Sequence, residues 1–283
     1  MEVSILVEHQ RGAEGEIGMR ATAIVSAAYN DFFRSLTAAK QGVLMLDYDG
    51  TVAPFSRDRR HASPYPGISE SLAEIMRTGG TRLIIVSGRS ARDIPRLLGI
   101  QPPPEIWGSH GVERLYSDGR YEEIDVNDDA LQALGEAEVR LDEQCLGPHI
   151  EVKLAAVAVH WRGLDSSETL KVRSRAYQTL KPMTSRADLT LAEFDEGVEL
   201  RLRSANKGEA VRHFLRDINP MTPVAYLGDD VDDEDAFRVL NGRGLTVLVK
   251  PKSRFTAAQI WLRPPAELVG FLIDWKLACR DKL

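Results

Sequence analysis

Residues 43–51 read Val43-Leu44-Met45-Leu46-Asp47-Tyr48-Asp49-Gly50-Thr51: four apolar side chains, then two carboxylates ahead of a glycine. A short apolar run without polar alternation is the pattern of a strand covered on both faces, as in a parallel sheet. Two further runs repeat it. Leu83-Ile84-Ile85-Val86 ends at Ser87-Gly88-Arg89, and Val224-Ala225-Tyr226-Leu227 ends at Gly228-Asp229-Asp230. In open α/β sheets ligands bind beyond the carboxyl ends of the strands, so these three endings are expected to meet at one site.

Working outward, helical spacing is predicted over 21–39, 68–76, 91–98, 207–215, 232–240 and 266–277, with a further strand over 245–249. The middle of the chain has a different character. Tyr116–Tyr121 carries Asp118-Gly119, a hairpin turn signal. Helices are predicted over 128–146 and 166–180, one long strand over 150–162, and a hairpin of 189–194 with 198–202 about Asp195-Glu196-Gly197. The expected fold is a doubly wound, parallel-sheet α/β core (21–113 and 199–283), Rossmann-like in layout. An inserted α+β cap domain (114–198) interrupts it, and an N-terminal arm (1–20) precedes it.

The chain has 283 residues and a formal net charge of -6, which argues against a polyanion-binding surface. Nucleic acid is therefore not an expected partner; a local basic pocket for one phosphate is compatible with that charge. The two cysteines, Cys145 and Cys279, have neither metal-ligand nor redox spacing. Residues 1–19 contain no apolar core of signal-peptide length, and no stretch reaches the roughly 18 apolar residues of a membrane span. A cytoplasmic protein is expected, without membrane contact, as a monomer or weak dimer.

The polar endings suit phosphoryl transfer. Asp47 can attack phosphorus as a carboxylate nucleophile. Asp49, two residues on, can serve the leaving oxygen as general acid and later activate water. Asp47 and Asp229 can hold a hard cation such as Mg²⁺. Ser87, the Gly88 amide and Lys207 can hold phosphate oxygens, and a helix beginning after Ser87 would add its dipole.

Four segments then resemble the signatures of haloacid dehalogenase-type phosphatases: Leu46–Thr51, Val86–Arg89, Asn206-Lys207-Gly208 and Gly228–Phe237. Their wording is similar to the trehalose-6-phosphate phosphatase branch, as are Gly108–Glu113, Glu151-Val152-Lys153 running to His160-Trp161-Arg162, and Val198–Arg201. The resemblance implies Mg²⁺-dependent hydrolysis of trehalose 6-phosphate through an aspartyl-phosphate on Asp47. It implies a metal held by Asp47, the Asp49 carbonyl and Asp229, with Asp230 in or beside the shell. Thr51, Ser87, Gly88 and Lys207 would hold phosphate, and Arg89, His110, Glu113, Glu151, Lys153 and Arg201 would face substrate.

The cap positions leave alternatives open. Glu151 and Lys153 share one face of a strand, which fits sugar hydroxyls or a solvated edge with its own ion pair. Arg201 fits substrate or an exposed strand charge, Glu113 a sugar contact or a hinge, and His110 a substrate contact or a satisfied buried histidine. Position 232 is Asp where the branch commonly has Thr; it fits an altered metal site or a helix cap. The same chemistry would serve a glucosylglycerol or glucosylglycerate phosphate, and a non-catalytic sugar-phosphate sensor is the alternative of another class.

Overall fold

The computed structural model describes residues 15–56, 61–123, 128–186, 188–194 and 196–280, with only the backbone described for 15–26. Its elements in chain order are α1 (Gly15–Ala38), β1 (Gly42–Leu46), α2 (Ile68–Arg77), β2 (Thr81–Val86), α3 (Ile94–Leu98), β3 (Glu105–Gly108), β4 (Glu113–Leu115), β5 (Tyr121–Glu123) and α4 (Asp128–Glu143). There follow β6 (Ile150–Lys153), β7 (Ala156–His160), α5 (Ser166–Leu180), β8 (Leu189–Phe194), β9 (Gly197–Leu202), α6 (Lys207–Arg216), β10 (Val224–Gly228), α7 (Asp233–Leu240), β11 (Leu245–Val249), β12 (Ile260–Leu262) and α8 (Ala266–Ala278).

The larger sheet runs β12-β11-β10-β1-β2-β3-β4-β5. It is parallel from β12 to β3, and β4 and β5 add antiparallel. The apolar run of β1 is buried throughout, and its side chains serve two layers by simple alternation. Leu44 and Leu46 join Leu83, Ile85, Leu72 and Trp275 on one face; Val43 and Met45 join Ile84, Val86, Val211 and Phe237 on the other. Each fully buried Leu, Ile or Phe contributes roughly 1.5–3 kcal/mol of transfer free energy. The register places Leu46 beside Leu227 and Ile85, so the three polar strand endings emerge next to one another.

A second, four-stranded antiparallel sheet, ordered β6-β7-β9-β8, carries α4 and α5 on one face. Val198, Leu200 and Leu202 of β9 point into that apolar layer, while Glu199 and Arg201, also buried, point the other way.

Several expectations are corrected. The strand expected over 150–162 is a hairpin, β6 with β7, turning at Leu154-Ala155. The 116–121 hairpin belongs to the larger sheet: β4 folds back on β3 and brings β5 with it. Strand β9 is central in the smaller sheet, between β7 and β8. By sheet membership β4 and β5, up to Glu123, extend the larger sheet, and β9, up to Leu202, belongs to the smaller one. Of the expected arm, residues 1–14 lie outside the described residues, as does Asp195 of the 195–197 turn, whereas 15–20 begin α1. That helix docks on α8 through Tyr29, Phe32 and Phe33 against Phe271 and Trp275.

Candidate active site

Between the two sheets lies a cleft lined on the core side by Asp47, Asp49, Ser87, Gly88, His110, Lys207, Asp229, Asp230 and Asp232. Lys153, His160, Arg162, Glu193, Phe194, Glu199 and Arg201 line it from the cap side.

Two glycines make the floor possible. Gly50 has φ +88, and a Cβ there would stand 2.3 Å from Asp229 Oδ2. That absence of a side chain lets the turn after β1 close onto the end of β10. At Gly88 a Cβ would stand 2.7 Å from the His110 ring, so the imidazole lies directly on the backbone after β2. Ser109 and His110 themselves sit at φ 48 and 57, a left-handed pair in the turn that reverses β3 into β4.

Lys207 opens α6, whose N-cap Asn206 accepts from the Glu209 amide at 2.7 Å. Its ammonium reaches Asp47 Oδ1 at 2.7 Å, Asp233 Oδ1 at 2.8 Å and Asp232 Oδ2 at 3.0 Å. Burial alone would lower the Lys207 pKa, but Asp232, Asp233 and Asp47 together drive it well up. Asp233 is saturated with donors: Lys207 and the Tyr226 hydroxyl on Oδ1, the Asp229 and Asp230 amides on Oδ2. It organises the loop after β10.

Asp47, Asp229 and Asp233 each bring a carboxylate oxygen within 4.8 Å of the others. Burial pushes Asp47 well up, opposed by Lys207 and reinforced by Asp233 and Asp232. Burial likewise pushes Asp229 up, and Asp47, Asp233 and Asp230 add to it. Asp229 Oδ1 is buried with no hydrogen-bond partner. Crowded, buried oxygen ligands of like charge with an orphaned lone pair fit a hard divalent cation. With both Asp233 oxygens taken, Asp47 and Asp229 are the carboxylates with capacity for it. Asp230, expected in or beside that shell, lines the cleft, but its Oδ1 accepts from the Val231 amide at 2.8 Å and it is not one of the three clustered carboxylates.

The other expected residues fall into distinct positions. Ser87 lies at the floor, its Oγ accepting from the Arg89 amide at 3.2 Å. Thr51 is buried with an unpartnered Oγ1. The helix expected after Ser87 begins only at Ile94. Arg89, expected to face substrate, forks onto Asp49, Nε to Oδ2 and Nη2 to Oδ1, both at 2.6 Å. Glu113 is not among the lining residues; it accepts from Ser90 Oγ and the Ala91 amide at 2.8 Å each, and from Ser109 Oγ, tying two core loops together.

On the cap side Glu151 and Lys153 each take a partner from another strand. Glu151 meets His160 Nε2 at 2.7 Å, and Lys153 meets Glu199 Oε2 at 2.9 Å. Arg201 is buried, not an exposed strand charge, and reaches Glu199 Oε1 at 3.1 Å. His110 stands between sheets, Nε2 at 3.3 Å from Glu199 and Nδ1 at 3.4 Å from Asp232, close enough for ion pairing without hydrogen-bond alignment. Burial disfavours the charged Glu199, yet Lys153, His110 and Arg201 hold its carboxyl well below the usual range.

Sequence reasoning missed Glu199, Asp233, His160 and Phe55. Glu199 had a visible signal, a carboxylate alternating with Val198 and Leu200 on an otherwise apolar strand. His160 lies in a segment that resembles the branch, but the β6–β7 turn that brings it to Glu151 has no turn residues to mark it, and Phe55 falls in no motif.

Residues 45–259 match the trehalose-phosphatase family model. The chain is 31% identical over 248 residues to the trehalose-phosphate phosphatase of Mycobacterium tuberculosis, covering 82% of this chain and 61% of that protein. To that of Mycobacterium avium it is 29% identical over 254 residues, covering 83% and 62%. It thus spans about three fifths of the length of these relatives. Among solved structures, the C-terminal domain of Candida albicans trehalose-6-phosphate phosphatase superposes with a TM-score of 0.70 at 20% identity, over 88% of this chain and 95% of that one. The Aspergillus fumigatus enzyme does so at 0.64 and 23% identity, over 87% and 96%. The match across the core signatures and the intervening sheet places this chain in the trehalose-phosphatase family, on a haloacid dehalogenase-type α/β fold.

Proposed function

We propose that this protein hydrolyses trehalose 6-phosphate to trehalose and phosphate through a covalent phosphate on Asp47, and that Asp47, the Asp49 carbonyl and Asp229 would hold Mg²⁺. One observation carries the reading: Asp47, Lys207 and Asp229 converge at the floor of a cleft whose opposite wall is a patch of paired acids and bases. The mycobacterial relatives support the choice of sugar.

The bound cation would offset charge repulsion between the attacking carboxylate and the phosphate dianion. Lys207 holds Asp47 Oδ1 in place, leaving the other oxygen to attack phosphorus. The phosphorus–ester oxygen bond breaks, and the sugar oxygen takes the proton carried by Asp49. Arg89 occupies both Asp49 oxygens, so the fork must open at one of them for Asp49 to carry that proton. Ionised again, Asp49 draws a proton from water, which attacks the phosphorus and frees Asp47. Ser87 and Lys207 orient the phosphate oxygens. On the roof, Lys153, Glu199, Arg201 and His160, the last held by Glu151, offer donors and acceptors to sugar hydroxyls. No helix among the described residues is long and apolar enough to cross a membrane.

The test is phosphate release from a panel of sugar phosphates. Trehalose 6-phosphate is expected to turn over at least tenfold faster than glucose 6-phosphate, and Asp47→Asn to abolish turnover while melting like the parent. Equal rates across the panel would remove the substrate assignment; an active Asp47→Asn variant would remove the covalent mechanism.

A further inference from the structure

Asp232 stands immediately before α7, where a helix cap is the ordinary role for an aspartate. It does not take that role: its side chain makes no capping hydrogen bond. The carboxylate turns instead into the cleft, 3.0 Å from Lys207 Nζ and 3.4 Å from His110 Nδ1. Lys207 thereby faces a third carboxylate in addition to Asp47 and Asp233. Asp47 is the proposed nucleophile and Asp233 fastens the loop after β10, but Asp232 has neither task. What remains is a permanent negative charge beside the ammonium that must receive the phosphate.

We propose that Asp232 is an affinity-setting residue: its carboxylate competes with phosphate for Lys207, weakening the hold on phosphate-bearing substrate and on inorganic phosphate product alike. This rests on the phosphatase reading above. Two like charges a few ångströms apart near a protein surface repel strongly enough to change a binding constant by an order of magnitude or more. The effect falls on every ligand that brings a phosphate dianion to Lys207, and leaves a neutral sugar untouched. Substrate affinity is thus exchanged for release of product.

The experiment measures inhibition by inorganic phosphate, with saturating Mg²⁺, in the parent and in Asp232→Asn, which keeps the shape and removes the charge. Asp232→Ala serves as a second variant, and thermal melting verifies that each is folded. The inhibition constant for phosphate and the KM for the phosphomonoester are both expected to fall about tenfold, while inhibition by neutral trehalose stays within about twofold. An unchanged or higher phosphate inhibition constant in folded Asp232→Asn would overturn the proposal and make Asp232 a support for Lys207 or His110. An equal change for trehalose would overturn it too, because repulsion of a phosphate dianion does not act on a ligand that carries none. If the parent released phosphate from no sugar phosphate at all, the functional reading itself would fall. Binding of inorganic phosphate by calorimetry to parent and variant would still decide the competition.

Discussion

On the floor of the cleft one ammonium, Lys207, faces Asp47, Asp232 and Asp233; on the roof one carboxylate, Glu199, faces Lys153, Arg201 and His110. The two arrangements are near inverses. Buried charges persist only when paired, yet both clusters are paired with an excess of one sign. The floor's surplus of carboxylate suits a divalent cation and a transferring phosphoryl group. The roof combines an acceptor with several donors, which suits uncharged hydroxyls. Substitutions at Asp47 and Lys207 on the floor are therefore expected to change kcat and roof substitutions to change KM, with Asp232 the floor residue that acts on KM.

The sharpest test of that division compares one residue from each cluster. Lys207→Met removes the ammonium that holds the nucleophile, and kcat/KM is expected to fall about 10³-fold or more, mostly through kcat. Glu199→Gln keeps the shape and is expected to cost roughly 10- to 100-fold, mostly through KM. A Glu199→Gln variant with normal KM and depressed kcat would break the comparison, because the roof would then act on the chemical step.

The second test uses no turnover. Because Asp229 and Asp47 are crowded and buried, a divalent cation should stabilise the folded protein. At a hundredfold excess over its dissociation constant the gain is about 2.7 kcal/mol, read as a Tm rise of a few degrees. Asp229→Asn is expected to abolish that rise, and Glu199→Gln to preserve it. A rise that survives in Asp229→Asn would put the cation elsewhere.

The same division shows what could be read from residues alone. Floor chemistry was legible because each part is local: an apolar run marks a buried strand, and the carboxylate after it is placed by the strand's own end. Asp47, Ser87 and Asp229 come together on that logic and on the register of β1 with β2 and β10. Roof chemistry depends on which strands pair. Leu154-Ala155 carries no glycine or proline, so nothing in the sequence announced the turn that folds β6 onto β7 and brings His160 to Glu151. Glu199 and Lys153 meet across a separation of 46 residues. The β4–β5 hairpin was recognisable from Asp118-Gly119, but a turn signal says nothing about which sheet receives it. Asp233 lies within the Gly228–Phe237 segment, but its tie to Lys207, 26 residues away, depends on how α6 packs.

A smaller effect separates the clusters by pH. The carboxyl of Glu199 is held well below its unfolded value, so its contribution to stability is complete above the ordinary glutamate range. It is lost as pH falls from there through the depressed folded value. The parent should therefore lose Tm on acidification below about pH 4.5 more steeply than Glu199→Gln, which has nothing left to protonate at that position. Parallel Tm profiles for the two proteins would show that Lys153 and Arg201 do not stabilise the ionised roof.

The smallest expected effect lies where floor and roof touch directly. Phe55, in the turn that follows the nucleophile loop, is 42% exposed and lies under the Arg162 guanidinium at 5.1 Å, joining a core loop to the segment after β7. A cation–π contact at so open a position contributes about 0.5–1 kcal/mol. Phe55→Ala is thus expected to raise KM about two- to fivefold with kcat and Tm nearly unchanged, since neither cluster loses a charge. Arg162→Ala should raise KM by a similar factor, and the double variant should be no worse than the worse single one. Additive losses would mean that each side chain meets substrate separately.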